Sequence, residues 1–286
     1  MSVSMRTPAA GSVDEVVAAL GSWQRDDALV QLHPGDLGWA WRHGEAAVAE
    51  SLRVWWDDGV IVAVGLIDGP SVLRMTVAPD RWSDDGLARR VLSDLDGGAL
   101  APRLGSVEIP TGTAVHAVLR SAGWTAGEAW TPLARDLTTT AVEPTGLQVH
   151  VVGPDEVEDF TAVHRSAWGS ETFTDDVWEV MSHGAPFRNG RCLLGRNAAG
   201  RAVAGVTIWS AGDGQPGLLE PMGVHAEHRG LGHGRAICVA AAAALQELGA
   251  STAWVCTPSS LHSAVATYRS AGFIPLPERL DWVRAR

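Results

Sequence analysis

The chain has 286 residues, which is enough for two domains that each bury a hydrophobic core. Its 22 basic and 33 acidic residues give a formal net charge of −11, which argues against a general nucleic-acid-binding protein. The three cysteines have neither disulfide nor metal-site spacing, so we expect no metal and a reduced, cytoplasmic location. The N-terminus carries no apolar signal segment, and no apolar run approaches the roughly 18 residues of a membrane span, so no membrane partner is expected.

The first half of the chain predicts a mixed set of helices and strands. Apolar residues at helical spacing predict a helix over 13–23, and runs of alternating or continuous apolar residues predict the strands that follow. The predicted strands are 38–42, 47–56, 60–67 and 71–77. A helix at 85–95, a strand at 106–109, a helix at 113–121 and a strand at 124–137 complete this half.

The stretch 139–146 contains Thr, Pro and Gly without apolar periodicity, and it predicts a linker between a domain at 1–138 and a domain at 147–286. The second half repeats the mixture of elements. Its predicted strands are 147–152, 191–195, 202–209, 252–256 and 280–284, and its predicted helices are 154–168, 175–183, 235–248 and 260–270.

An internal repeat supports the two-domain interpretation. Residues 119–124 read LRSAGW and residues 268–273 read YRSAGF, while a Met-x-Val triplet precedes each copy at 75–77 and 222–224. If the triplets are aligned, Asp85 stands at the position of Gly232 and Leu87 at that of Gly234. The first copy therefore lacks the glycine loop of the second.

The glycine loop lies at 229–234 and reads RGLGHG, between an apolar run and an Ala-rich helix. Closely spaced glycines let the backbone approach a ligand, and a helix N-terminus favours a phosphate or pyrophosphate. A dinucleotide fingerprint would need glycine at the position of Arg235, and a Walker loop needs a lysine, which this sequence lacks.

The remaining pattern is Arg-x-x-Gly-x-Gly, which resembles the pyrophosphate loop of the GNAT superfamily of acyl-CoA-dependent N-acyltransferases. The resemblance implies an α/β (α+β) protein with two tandem GNAT-like domains, each a mixed, mostly antiparallel sheet flanked by helices, the first domain being degenerate. It also implies acetyl-CoA as the cosubstrate. The loop residues that would bind its pyrophosphate are Arg229, Gly230, Leu231, Gly232, His233, Gly234 and Arg235.

The residues Glu220, Pro221, Met222 and Gly223 lie inside the predicted central strand that precedes the loop. Proline and glycine are unfavourable in a regular central strand, so they predict a β-bulge, although Pro221 could instead mark an edge strand. In the family, such a bulge separates two strands, and the pantetheine arm lies in the gap. The resemblance assigns this contact to Met222, Gly223 and Val224.

Two residues are the candidates for proton transfer. Tyr268 is the only tyrosine, and its A-x-x-x-Y-x-x-x-G-F context resembles the second family motif, in which a tyrosine protonates the CoA thiolate. Tyr268 could alternatively be a packing aromatic. Glu220 is the best candidate base, because in a regular strand it shares a face with Val224, although a bulge would break that parity.

Several further residues are weaker candidates. Leu261 replaces an asparagine that often contacts the cofactor in the family, and Ser260 or Ser263 could substitute for it. His225, His228 and His233 are weaker candidate bases than Glu220. The acidic residues Glu171, Asp175, Asp176 and Glu179 could attract a cationic amine or form a solvated face.

The sequence therefore predicts an N-acetyltransferase that moves an acetyl group from acetyl-CoA directly to a primary amine of a small molecule. The alternatives are a non-catalytic acyl-CoA-binding or regulatory protein and an acetyltransferase acting on a protein amine. A homodimer is one possible assembly, and the sequence leaves both the oligomeric state and the acceptor open.

Overall fold

The computed structural model describes residues 3–28, 31–97, 105–138 and 146–284. The chain divides into two compact units. Unit 1 comprises Met1–His33, Glu45–Trp130 and Glu278–Arg286, and unit 2 comprises Pro34–Gly44 and Thr131–Pro277. Relative to a division at the predicted linker, residues 34–44 and 131–138 fall in unit 2 and residues 278–286 fall in unit 1. Linker residues 139–145 lie outside the described residues.

The helices of the described residues are as follows: α1 (Val13–Trp23), α2 (Pro34–Ala40), α3 (Glu45–Ser51), α4 (Asp85–Asp96), α5 (Ala114–Ser121), α6 (Val157–Trp168), α7 (Asp175–Ser182), α8 (His233–Glu247) and α9 (His262–Ser270). None of these described helices has the length and apolar character needed to cross a membrane.

The strands of the described residues are as follows: β1 (Ser4–Arg6), β2 (Leu52–Asp57), β3 (Val60–Asp68), β4 (Val72–Val77), β5 (Ser106–Glu108), β6 (Thr125–Asp136), β7 (Gln148–Val151), β8 (Gly190–Arg196), β9 (Ala202–Ser210), β10 (Gly217–Val224), β11 (Thr252–Pro258), β12 (Ile274–Pro275) and β13 (Arg279–Val283).

Unit 1 contains a sheet in the order β1-β2-β3-β4-β5-β13-β6, to which β6 contributes residues 125–130. Its pairs are antiparallel apart from the parallel pair of β4 with β5. Apolar side chains of the sheet pack with those of α4 and α5 in one core, which includes Trp55, Met75, Leu87 and Leu119.

Unit 2 contains a sheet in the order β6-β11-β10-β9-β8-β7, to which β6 contributes residues 131–136, and β12 also pairs with β6. The pairs β7–β8, β8–β9 and β9–β10 are antiparallel, whereas β10 and β11 are parallel. Helices α8 and α6 both pack on the β9–β10 region. These sheets confirm the predicted mixed, mostly antiparallel α/β fold with flanking helices.

The two repeat copies occupy equivalent places in their units. Residues 119–124 span the end of α5, and residues 268–273 span the end of α9. The Met-x-Val triplets end β4 and β10, and each is followed by a helix, a strand and the repeat-bearing helix. The repeat therefore marks the same supersecondary arrangement twice.

Two predicted strands are wrong in whole or in part. Residues 38–42 belong to α2 and the 3-10 turn Trp41–His43, and residues 47–51 belong to α3. Pro34 fits the first turn of a helix, and Gly35 and Gly38 lie so close to the Trp209 ring that an added Cβ would approach it to 2.4 Å. The α3 segment is rich in Ala and Glu, which favour helix.

Candidate active site

A gap opens in the sheet of unit 2 between β10 and β11. The two strands pair at Gly217 with Ala253 and at Leu218 with Trp254, close to where each strand begins. Beyond these pairs β10 continues along β9 to Val224, and within the described residues it makes no further ladder with β11. The strands therefore separate along the second part of β10.

The register of β10 against β9 shifts between Leu219 and Met222, which confirms the predicted β-bulge. Because β10 has neighbours on both sides, the alternative that Pro221 marks an edge strand is wrong. The indole Nε1 of Trp209 donates a 2.6 Å hydrogen bond to the carbonyl oxygen of Glu220, inside the bulge. This bond satisfies a carbonyl at the point where the β9–β10 register is interrupted.

The residues after the bulge divide between the two faces of the sheet. Met222 and Val224 pack against the core beneath α8 and α9. Gly223 faces α6 instead, since an added Cβ there would lie 2.5 Å from the Cβ of Ala167. Successive residues of the segment 222–224, which is assigned to pantetheine binding, therefore face the α8 side and the α6 side of the sheet in turn.

The glycine loop joins β10 to α8 and is exposed over residues 229–232. Gly230 and Gly232 have φ values of +77° and +82°, which a residue with a side chain adopts only with strain. A Cβ at either position would meet nothing within 4 Å, so open space adjoins this backbone. The first N–H groups of α8 lack partners within the helix and carry partial positive charge, as an anion site requires.

Side-chain contacts hold the two ends of this loop. The guanidinium Nη2 of Arg229 donates a 2.6 Å hydrogen bond to the carbonyl of Ala167 in α6. Arg235 Nε donates to the carbonyl of Ser270 at the end of α9, at 2.9 Å. Gly234 lies against α9, where an added Cβ would be 2.8 Å from Cγ2 of Thr267. His233 begins α8, while Leu231 is exposed at the loop tip.

Tyr268 is buried on α9, with its ring 6.1 Å from that of Phe273. Burial raises the pKa of its phenol far above the ordinary value, and Cys238, Glu220 and Cys256 raise it further. These groups belong to α8, β10 and β11, so the phenol lies where the two strands separate. At neutral pH it carries its proton.

Glu220 is partly exposed within the bulge, and its carboxylate is close enough to Tyr268 to affect that phenol electrostatically. The two predicted catalytic residues therefore lie within electrostatic range of each other. In a regular strand, Glu220 would share a sheet face with Val224. The register shift between Leu219 and Met222 interrupts the strand, so this alternation cannot be used to place the Glu220 side chain.

The weaker candidates lie at the margins of this arrangement. Ser260 and Ser263 are exposed near the start of α9, which begins at His262, two residues later than predicted. The rings of His225 and His228 lie 5.4 Å apart, and those of His228 and His233 lie 6.4 Å apart, beside the glycine loop. Burial and then the charge of His228 lower the pKa of His233.

The acidic residues of the 171–179 segment make local contacts. Glu171 lies 3.8 Å from Arg165 Nε, Asp175 accepts a hydrogen bond from the Thr161 hydroxyl, and Glu179 lies 3.7 Å from His183. Among the described residues, no group of His, Cys, Asp or Glu side chains is arranged to hold a metal ion.

His164 lines a cavity beside β10 that sequence reasoning did not predict. A narrow cavity on the α6 side of β10 is lined by Phe160, Val163, His164, Gly205, Pro221 and Gly223. Both ring nitrogens of His164 are inaccessible and have no hydrogen-bond partner among the described residues. Burial, with smaller effects of Arg42 and Arg165, lowers the pKa of this imidazole to about 4. No local motif marks this histidine, since the cavity depends on segments distant in sequence.

Comparison with known proteins agrees with this geometry. Residues 155–273 match the family model described as "Acetyltransferase (GNAT) family". The part of unit 2 that contains β10, the glycine loop and Tyr268 is therefore similar to this family. The match includes every predicted site residue from Glu220 to Tyr268, and it supports acyl transfer from acyl-CoA as the reaction class. Among curated proteins, no sequence matches this chain significantly.

Solved structures resemble the whole chain in fold. A "Tandem GNAT protein from the clavulanic acid biosynthesis pathway (without AcCoA)" is 16% identical, with 99% of this chain and 98% of that chain covered and a TM-score of 0.61. A GCN5-related N-acetyltransferase from Sphaerobacter thermophilus is 18% identical, with coverage of 99% and 95% and a TM-score of 0.56. A GNAT-family acetyltransferase from Colwellia psychrerythraea is 12% identical, with coverage of 99% and 99% and a TM-score of 0.64. The chain therefore has the fold of a tandem GNAT protein.

Proposed function

We propose that unit 2 transfers the acetyl group of acetyl-CoA directly to a primary amine of a small molecule. The observation that carries this proposal is the position of Tyr268. Its protonated phenol lies among groups of α8, β10 and β11, where the two strands separate, and the glycine loop stands at the end of the same β10 strand. A non-catalytic acyl-CoA-binding protein would use the loop but would not depend on this phenol.

The residues present fit acetyl-CoA as the acyl donor. Gly230 and Gly232 leave open space beside the backbone, and the N-terminus of α8 favours the pyrophosphate. The residues proposed to hold the pyrophosphate are 229–235, and the backbone of Met222, Gly223 and Val224 would receive the pantetheine arm. Ser260 and Ser263 are proposed as further contacts at the start of α9.

The proposed reaction requires the protein to move two protons. Acetyl-CoA, when bound, would supply the acetyl group as a thioester, whose C–S bond breaks as the amine nitrogen forms a bond to the carbonyl carbon. The Glu220 carboxylate accepts the proton that the amine loses, directly or through water. Tyr268 Oη donates its proton to the departing sulfur. A backbone N–H beside the bulge can stabilise negative charge on the carbonyl oxygen.

We further propose a cytoplasmic location, which the three free cysteines support. We also propose a homodimer. Measurement of the molar mass of the full chain in solution tests this proposal.

Calorimetric titration of acetyl-CoA and a thiol-release assay with an amine panel test this proposal together. The panel contains aminoglycosides, polyamines, amino acids, arylalkylamines and short peptides. Binding accompanied by thiol release with one small-amine class supports the proposal. Binding without release from any member supports the non-catalytic alternative, and release with peptides alone supports a protein acceptor.

A further inference from the structure

The cavity beside β10 contains one polar side chain whose hydrogen-bonding capacity is unused. Among its lining residues His164 carries the only polar side chain, and both imidazole nitrogens are buried without a partner among the described residues. A buried polar group without a partner costs free energy, because its hydrogen bonds to water are lost and not replaced. A ligand that hydrogen-bonds to the imidazole would remove this cost.

The cavity adjoins the bulge that the proposed function places at the reacting thioester. Pro221 and Gly223 of β10 form one part of its lining, and Phe160 and Val163 of α6 form another. The space holds a group of about the size of one water molecule. A primary amino group is of this size.

Aromatic rings surround His164. The centroids of Phe173 and Trp39 lie 4.5 Å and 5.4 Å from that of the imidazole, and the Trp168 ring stacks on it at 6.1 Å with an interplanar angle of 29°. Trp168 is 58% exposed even though it is a large apolar residue, and its Nε1 lies 3.6 Å from the Cβ position of Gly223. Trp168 therefore contacts His164 and lies beside Gly223, two residues that line the cavity.

Two arginines whose charges act on His164 disfavour a positive charge on a bound amine. Arg42 and Arg165 both lower the pKa of the imidazole, and the guanidinium of Arg42 lies 4.3 Å from the centre of the Trp39 ring. The same positive potential would favour the uncharged form of a bound amine, which is the form that attacks a thioester.

We propose that His164 and Trp168 form the acceptor subsite and that the acceptor is a primary amine carried on a flat aromatic body. The amino group enters the cavity and hydrogen-bonds to the imidazole, and the aromatic body covers the exposed face of Trp168. The inference rests on the proposed function, because the cavity acts as an acceptor site only if the bulge holds the thioester. His164 acts here as an acceptor-binding residue, and Glu220 still accepts the proton.

The test uses 2-phenylethylamine as the aromatic probe and spermidine as a flexible polycationic comparison. Calorimetry measures binding of each amine to the full chain saturated with CoA, and a thiol-release assay measures KM and kcat. The variants are His164→Phe, which keeps an aromatic ring without nitrogen, His164→Gln, which keeps a hydrogen-bonding group, and Trp168→Leu. His150→Phe is the matched control, since His150 is an exposed histidine of β7 in the same unit.

We expect 2-phenylethylamine to bind more tightly than spermidine. His164→Phe and Trp168→Leu should each weaken its binding about tenfold, with KM rising more than kcat falls, whereas His164→Gln should retain part of the affinity. Amine binding that depends on His164 without any thiol release would support the subsite and contradict the proposed catalysis. Thiol release with an unchanged KM in His164→Phe, or no preference for the aromatic amine, would contradict the subsite and leave the proposed function standing. Absence of 2-phenylethylamine binding to the wild type would also contradict the subsite.

Discussion

The Trp209 indole is hydrogen-bonded to the Glu220 carbonyl at 2.6 Å, so a buried tryptophan of β9 holds the bulge of β10. Three glycines surround the same indole, and an added Cβ at Gly35, Gly38 or Gly190 would approach it to 2.4–2.8 Å. The bulge is therefore fixed by a side chain that is itself tightly enclosed. A rigid support of this kind keeps Glu220 and the following strand backbone in place for chemistry.

Replacing Trp209 with phenylalanine should remove this hydrogen bond while retaining an aromatic ring. We expect the free energy of unfolding to fall by about 1–3 kcal/mol, because the hydrogen bond from the Trp209 indole is lost and a smaller ring leaves a cavity. Acetyl transfer should fall as well, because the bulge loses its support. Trp178→Phe is the control, since the Trp178 indole donates only a 3.4 Å hydrogen bond to Cys192 Sγ. Equal loss of turnover in both variants would contradict a specific role for Trp209.

Gly232→Ala should weaken acetyl-CoA binding because Gly232 is the N-cap residue of α8, with φ at +82°. Alanine at this φ costs about 1–2 kcal/mol and shifts the N–H groups that would face the pyrophosphate. Gly200→Ala is a matched control, since Gly200 has φ at +76° in the β8–β9 turn and its Cβ would also meet nothing within 4 Å. Calorimetry should show weaker binding for Gly232→Ala alone. A similar affinity of both variants would contradict the loop assignment.

The contact between Gly234 and Thr267 predicts a compensating pair of substitutions. Gly234→Ala should destabilise unit 2 by about 1 kcal/mol, because its Cβ would lie 2.8 Å from Thr267 Cγ2. Thr267→Ser removes that methyl group but keeps the hydroxyl that donates to the Ser263 carbonyl at 2.8 Å. The double variant should therefore recover the lost stability in denaturant unfolding. An additive loss would show that the methyl group is not the obstacle.

His164 should make stability depend on pH between about 4 and 6.5. Its pKa is lowered to about 4 in the folded state by burial and by Arg42 and Arg165, whereas an unfolded histidine titrates near 6.5. In this window the unfolded chain binds more protons than the folded chain, so stability is full above pH 6.5 and falls as the pH decreases.

Between pH 7.5 and pH 5.0 this residue should account for a loss of about 2 kcal/mol in the free energy of unfolding. Denaturant unfolding of the wild type and His164→Phe at both pH values measures it, with His150→Phe as the control. The difference between the pH values should be smaller by that amount in His164→Phe. An identical pH dependence in all three proteins would show that the imidazole is accessible to protons in the folded state.

The parts of the site that follow from local sequence signals were predictable. The spacing of Gly230, Gly232 and Gly234 indicates the loop, Pro221 indicates the bulge, and the repeat context singles out Tyr268. Each of these signals is local, because residues close together in one segment determine the backbone conformation there. The structure confirms the bulge and the order of strand, loop and helix at these positions.

The remaining parts depend on contacts that local patterns do not encode. The segment 38–42 contains two tryptophans, which favour a strand by composition, but packing of Gly35 and Gly38 on Trp209 favours a helix there. His164 has no motif around it, and its cavity requires α6, β9 and β10 to meet. The hydrogen bond from Trp209 to Glu220 joins residues eleven positions apart across two paired strands. Contacts between segments that are distant in sequence determine the helix, the cavity and the hydrogen bond.

The most direct test of acetyl transfer is the rate of thiol release from acetyl-CoA with an accepted amine, measured for the wild type and Tyr268→Phe. Phenylalanine retains the ring that packs near Phe273, so the fold and acetyl-CoA binding should be preserved. Loss of the phenolic proton should lower kcat by about 10²-fold or more. An unchanged kcat in a folded Tyr268→Phe protein that still binds acetyl-CoA would contradict the account of Tyr268 as the proton donor.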